Sequence, residues 1–179
     1  MPNEFPLPPY ALVNRALGPG MHAYLDLLPR AAESPALARI GSPANPVEAL
    51  LRTTRIEIAE EDGFCWVDDD VPCIVFTHEY YRSGSDLDLY LDLLHELTHV
   101  RQHLEGADLW DRNFAYVDRW TEIEGYAVAV EEGCRLGMTP EDVVEHLANP
   151  WMSEADQRRL RDNVRRFLEG RGIRIACLP

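Results

Sequence analysis

The stretch Asp86–Leu104, DLDLYLDLLHELTHVRQHL, repeats its apolar residues with a period of 3.6. At 100° per residue, Tyr90, Leu93, Leu97, Val100 and Leu104 form one apolar stripe. Leu87, Leu91, Leu94 and Thr98 form a second. The remaining strip holds Asp88, Asp92, His95, His99, Gln102 and His103. Two apolar stripes predict a helix buried on two sides, with its polar strip turned to a cleft. Ser85 with Asp88 three residues on predicts a capped start at Asp86, and the helix should reach about Leu104.

Within that helix lies His95-Glu96-Leu97-Thr98-His99. Histidines four apart project from one face, one turn from each other, close enough to grip a single metal ion. Glu96 sits about 100° around the helix from His95, where a carboxylate reaches a water beside the metal without ligating it. This is the HEXXH arrangement of zinc peptidases, two nitrogen ligands and a general base from five residues. Zinc needs a third protein ligand. A metzincin-type third histidine would stand at position 105 after a glycine at 102, but Gln102 and Glu105 occupy those places. The next predicted helix, about 117–135, offers Glu122 and Glu124 in WTEIEGYAVAV (Trp120–Val130). Its apolar stripe is Trp120, Ile123, Ala127, Val130 and Cys134. Glu124 falls on a flank with Glu131 and Arg135, which reads as solvated. Glu122 falls on the opposite flank with Tyr126, Ala129 and Gly133, where small side chains let another helix approach, so Glu122 is the expected ligand.

HEXXH on one helix and a glutamate on the next resembles the gluzincin class of zinc metallopeptidases, over about residues 53–135. Glu122-Ile123-Glu124-Gly125-Tyr126-Ala127 is similar to the third-ligand helix of compact gluzincins, in which the first glutamate of the motif is the ligand. The resemblance implies a zincin-like helical core, a Zn2+ cofactor and hydrolysis of peptide bonds. It also implies a small sheet before the active-site helix, with 73–80 as the edge strand that holds a peptide or protein substrate. Many gluzincins carry an acidic residue four after the ligand glutamate; this chain has Tyr126 there. Glu96 is the expected general base. Tyr126, Arg119, His103 and Tyr116 are candidates to stabilise the oxyanion or support a ligand, and His78 and Glu79 are strand-end polar residues.

Outward from this pair, residues 53–59 alternate in strand fashion. Glu61-Asp62-Gly63 marks a turn, Phe64–Val67 reads as the hairpin partner of 53–59, and Cys73–Tyr80 reads as a third strand. The acidic run Glu57–Asp70 reads as a solvated rim. Residues 1–52, rich in proline, predict short helices near 10–17, 21–32 and 46–52, the last with Asn45 as N-cap and Pro46 first in the helix. Thr139-Pro140-Glu141 and Ser153-Glu154 open two C-terminal helices, the second ending at Gly170 and Gly172, and Ile173–Leu178 reads as a short strand. The expected fold is one α+β domain over 1–179. A small antiparallel or mixed sheet (53–80) precedes the metal-site helices (86–135) and the C-terminal helices (139–179).

The 179 residues carry a net charge of −14, with 17 arginines and no lysine. Residues 158–179 alone hold seven arginines against two acids, and the rest of the chain stands at −19. So acidic a body repels phosphate backbones, which makes nucleic acid an improbable partner. The arginine-rich helix, Gln157–Leu168, has Leu160, Val164, Phe167 and Leu168 at core spacing and is expected to dock on the domain. No run reaches the ~20 apolar residues of a membrane span, and no secretory leader is visible. Cys65, Cys73, Cys134 and Cys177 show no regular spacing, so reduced thiols and a cytoplasmic location are expected. The function expected is zinc-dependent peptide-bond hydrolysis; the alternative is a non-proteolytic zinc-binding regulatory or interaction protein on a similar scaffold.

Overall fold

A computed structural model describes residues 6–68, 70 and 73–178. Residues 1–5 of the proline-rich segment, and Asp69, Val71, Pro72 and Pro179, lie outside the described residues. The strands are β1 (Gly20–Ala23), β2 (Arg55–Ala59), β3 (Cys65–Asp68) and β4 (Cys73–Thr77). Four short helices surround them: α1 (Tyr24–Leu27), α2 (Leu37–Ile40), α3 (Val47–Thr53) and α4 (His78–Ser83). Four more follow: α5 (Asp86–Leu104), α6 (Trp120–Arg135), α7 (Pro140–His146) and α8 (Glu154–Gly170). The class is α+β, as expected.

The sheet is mixed, with strand order β1-β2-β4-β3. β1 runs antiparallel to β2, β2 parallel to β4, and β3 antiparallel to β4. Three expectations are corrected here. Phe64–Val67 is not the hairpin partner of 53–59: the chain after β2 crosses to the far side of β4, and β3 pairs with β4 instead. Residues 73–80 are not an edge strand. β4 is interior, all five of its residues are buried, and the edges are β1 and β3. CIVFT is a continuous apolar run rather than an alternating one, as a strand covered on both faces requires. The strand also ends at Thr77, whose side chain accepts from the Tyr80 amide and caps α4, so His78 and Glu79 open a helix.

The N-terminal region departs most from expectation. Helices at 10–17 and 21–32 are replaced by a 3-10 turn at Pro9–Ala11, strand β1, the one-turn α1 and a second 3-10 turn at Ala31–Glu33. At α3 the cap position is Pro46 rather than Asn45. Around the metal-ligand candidates agreement is close. α5 spans the expected residues with Ser85 accepting from the Asp88 amide. α7 and α8 are capped by Thr139 and Ser153. α5 packs on α6 along one side and on β3 and β4 along another. Leu89, Tyr90, Leu91, Leu93, Leu94 and Leu97 are essentially inaccessible, as two apolar stripes demand. At about 25 cal/mol per Å2 of apolar surface withdrawn from water, this double burial anchors α5 in the core.

α8 docks as expected, burying Leu160, Val164 and Leu168 while Arg159 pairs with Asp118. The segment after it is not a strand. It turns back so that Cys177 forms a disulfide with Cys134 at the end of α6, with Cα atoms 6.0 Å apart. That corrects the expectation of four reduced thiols; Cys65 and Cys73 remain free. Disulfides persist in oxidising compartments, so the cysteines no longer argue for a cytoplasmic location. No helix among the described residues is long and apolar enough to cross a membrane.

Candidate metal centre

α5 and α6 bring three ligand-type side chains to one point. His95 Nε2 and His99 Nε2 stand 2.8 Å apart, and Glu122 Oε2 lies 3.3 Å from the first and 3.5 Å from the second. All three residues are more than nine-tenths buried. Glu122 Oε2 makes no geometrically good hydrogen bond, an uncommon state for a buried carboxylate oxygen. Zinc bonds of about 2.0–2.1 Å to nitrogen and oxygen at tetrahedral angles separate neighbouring ligands by about 3.4 Å. Both histidine–glutamate distances match that value, while the two imidazole nitrogens, at 2.8 Å, would part by about half an ångström to receive the ion. The donor set, two imidazoles and one carboxylate, also suits zinc. The three residues therefore fit a metal ion, and His95, His99 and Glu122 are the cluster of this kind among the described residues.

Close approach of the two helices depends on Gly125. A Cβ there would stand 3.0–3.1 Å from three ring atoms of His95. One residue on, the Tyr126 ring meets the His95 ring edge-on at 4.4 Å between centroids. Tyr126 thus occupies the place where an acidic partner was looked for, and holds His95 by packing.

His99 is held by hydrogen bonds. Its Nδ1 donates to Gln102 Oε1 (2.8 Å), which leaves the Nε2 lone pair for the metal. Gln102 Nε2 donates to the Thr121 carbonyl (3.1 Å) and to Glu124 Oε2 (2.8 Å). Glu124 also takes Arg101, and its other oxygen takes Arg171 at 3.2 Å. The expectation of a solvated Glu124 is therefore corrected: it is as buried as Glu122, because α6 packs against both α5 and α8. Glu122 was separated from it for an incomplete reason. What distinguishes the two is partners, arginines for Glu124 and histidines for Glu122.

Beside the cluster opens a cleft of about 870 Å3. Glu96 lines it next to the histidines, and the Cys65 thiol donates to Glu96 Oε1 across 3.8 Å. Burial pushes the Glu96 carboxyl above the usual range against the pull of His95 and His99, which suits a group that must accept a proton near neutral pH. Burial works to lower the His99 imidazole, but the Glu122 carboxylate beside it overcomes that and holds the ring up at about 9. Glu122 is pushed up by burial and, more strongly, down by the two imidazoles beside it, so it remains a carboxylate.

Of the four residues expected to support the reaction, Tyr126 and Tyr116 line the cleft, their hydroxyls 3.0 Å apart. Burial raises both phenols, so they stay protonated. Arg119 and His103 do not line it: the Arg119 side chain donates to the Asp111 carbonyl (3.2 Å), and His103 is on the last turn of α5. His78 borders a separate small cavity with Arg15 and Arg82. Sequence reasoning missed His146, which enters the cleft from α7 with Nε2 unpartnered and is kept neutral by burial. Its only sequence signal was membership of a set of six histidines. Asp92 stood on the polar strip of the helix without a role. It faces the cleft, accepting from the Tyr80 hydroxyl. Compared with family models, curated proteins and solved structures, the chain matches none of them.

Proposed function

We propose that the protein is a zinc-dependent peptidase in which His95, His99 and Glu122 hold the metal and Glu96 is the general base. The observation that carries this is the convergence of three buried ligand atoms, one of them a carboxylate oxygen without a good hydrogen bond, at the wall of an open cleft. A zinc ion held there supplies Lewis acidity, polarising the scissile carbonyl and lowering the pKa of a water to about 7. Glu96 takes a proton from the attacking water and hands it to the leaving amine. His146 Nε2 has no other bond to make and serves the developing oxyanion more readily than Tyr116 and Tyr126, whose hydroxyls are already shared. Substrate backbone adds to β3, the sheet edge beside the cleft, in place of the interior 73–80 strand. The α5–α6 pair beneath a sheet edge is consistent with a zincin-like core.

A non-proteolytic zinc protein would use the same ligands. Glu96 speaks against it, because a purely structural site is closed and has no use for a base in a cleft. Metal content by mass spectrometry and cleavage of unfolded protein substrates test the proposal together. About one zinc per chain, retained in Glu96→Gln with cleavage abolished, is expected. Absence of zinc after refolding with the metal overturns the reading.

A further inference from the structure

Residues 171–178, which follow α8, form a strap pinned to α6 at two points. At one end Arg171 donates to Glu124 Oε1 across 3.2 Å, its guanidinium also lying 4.3 Å from the centre of the Phe167 ring. At the other end Cys177 is bonded to Cys134. Glu124 and Cys134 are ten residues apart on α6, about 15 Å along its axis. The six residues from Arg171 to Cys177 reach about 20 Å when extended, so the strap spans its pins with little slack. Between them it is weakly held. From Ile173 on, among the described residues, its backbone hydrogen-bonds only to Leu168 and within itself, and Ile173 and Ile175 are no more than partly buried. None of these residues lines the cleft.

Glu124 has two ways to be satisfied. Its Oε2 takes Arg101 and Gln102 Nε2, and through Gln102 Oε1 it steadies the Nδ1 of His99. Among the described residues its Oε1 takes Arg171 alone. The buried Arg101, however, has an Nε without a partner. A guanidinium presents Nε and Nη as a fork matched to both oxygens of one carboxylate. An unused donor thus stands beside the one Glu124 already uses, and Arg171 draws Oε1 the other way.

We infer that the C-terminal strap is a thiol-responsive clamp on the metal centre. With the Cys134–Cys177 disulfide closed, Arg171 holds Glu124 toward Gln102 and His99. With it open, the strap lifts, Glu124 turns onto the Arg101 fork, and Gln102 and the His99 ring are loosened. The inference rests on His95, His99 and Glu122 as metal ligands and is independent of peptidase activity. Opening takes a dithiol reductant: two electrons enter the S–S bond, each sulfur takes up a proton as a thiol, and the dithiol becomes a disulfide. Cys134 and Cys177 are partly exposed, so a reductant reaches them. Cys65 and Cys73 are already thiols and have nothing to give up.

The test measures zinc affinity by competitive chelator titration on the full-length protein, oxidised and then reduced with a phosphine, since dithiols themselves bind zinc. Thiol counts and circular dichroism on the same samples show that the bond is open and the fold kept. Opening should weaken zinc binding about 3- to 10-fold, less than removal of a direct support, because Arg171 acts one step further out. Arg171→Gln with its disulfide closed should bind as weakly as the reduced wild type, and should lose less than about twofold more on reduction. Arg171→Lys, which keeps the charge, should recover most of the affinity. The visible bands of cobalt(II) bound in place of zinc should shift on reduction in the wild type and not in Arg171→Gln, which a general loss of stability would not produce. Zinc affinity unchanged by reduction overturns the clamp and leaves the metal centre standing. Oxidised Arg171→Gln that binds zinc like the oxidised wild type overturns it whether or not the reduced chain keeps its fold. Failure to bind zinc in either state overturns the metal ligands and the clamp with them.

Discussion

Glu122 and Glu124 lie two residues apart on one helix, equally buried, and face opposite worlds. Behind the histidines, Glu124 is saturated by Arg101, Gln102 and Arg171, so that a buried charge is neutralised and His99 is fixed through Gln102. In front, Glu122 has the two imidazoles, and of the aspartates along α5 that line the wall beyond it, Asp86 pairs with Arg15 while Asp88 and Asp92 have no arginine partner. One region is finished by the protein's own groups. The other is complete only when something enters. Buried polar atoms without partners occur on both sides, Arg101 Nε and Thr121 Oγ1 behind and Glu122 Oε2 and His146 Nε2 in front, so what distinguishes the front is the open cleft that Glu122 and His146 line.

The largest way to break this contrast is at the ligand itself. Glu122→Ala should lower zinc affinity by at least a thousandfold in a competitive chelator titration, whereas Glu96→Gln should keep the metal and lose turnover. Glu124→Gln acts on the finished side. It leaves Arg101, 8% exposed, without its buried partner. Denaturant unfolding should show a loss of about 3–5 kcal/mol, and zinc affinity should fall by roughly 10- to 100-fold as His99 loses support. If Glu124→Gln instead abolished binding outright and Glu122→Ala did not, the assignment of the two glutamates would be reversed.

Gly125→Ala sharpens the packing side, since the added methyl must displace the His95 ring. A destabilisation of about 1–3 kcal/mol is expected, with weaker metal binding and an unchanged Gln102–His99 arrangement. The smallest effect is that of pH. Held at about 9, the metal-free His99 carries a proton at neutrality that a metal must displace. Zinc affinity should therefore rise about tenfold per pH unit toward pH 9 and level above it, with about one proton released per metal at pH 7 in buffer-dependent calorimetry. The sign for the metal-free fold is opposite. His99 is raised above its unfolded value near 6.5, so its stabilisation is full below that pH and is lost as pH rises through about 9.

Much of the site was legible because it lies on two long helices. In α5, His95, His99 and Gln102 share a face by helical geometry alone, with Glu96 about 100° around from His95, and the double apolar stripe announced burial correctly. The wheel chose Glu122, which the structure places beside both histidines, yet Glu124 was misjudged, because a wheel orders one helix and does not show that Arg171, just after α8, reaches the other flank. His146 was invisible for the same reason: α7 reaches the cleft only through the turn after α6. The sheet was misread because β2 skips its sequence neighbour to pair with β4, and local turn signals carry no information about a non-local parallel partner. β1, four residues containing Gly20 at φ 125°, has too little pattern to announce itself.

By itself, then, the sequence determined the α+β class, the bounds of α5 and the chemistry of its polar strip. Periodicity and capping are local properties, and a long helix keeps its register. The tertiary structure alone decided which strand forms the sheet edge beside the cleft and which glutamate is matched by arginine. It also decided that Cys134 meets Cys177, and that α5 and α7 turn their carboxylates toward the same space. These outcomes depend on contacts between residues distant in the chain, whose formation is governed by how whole elements pack.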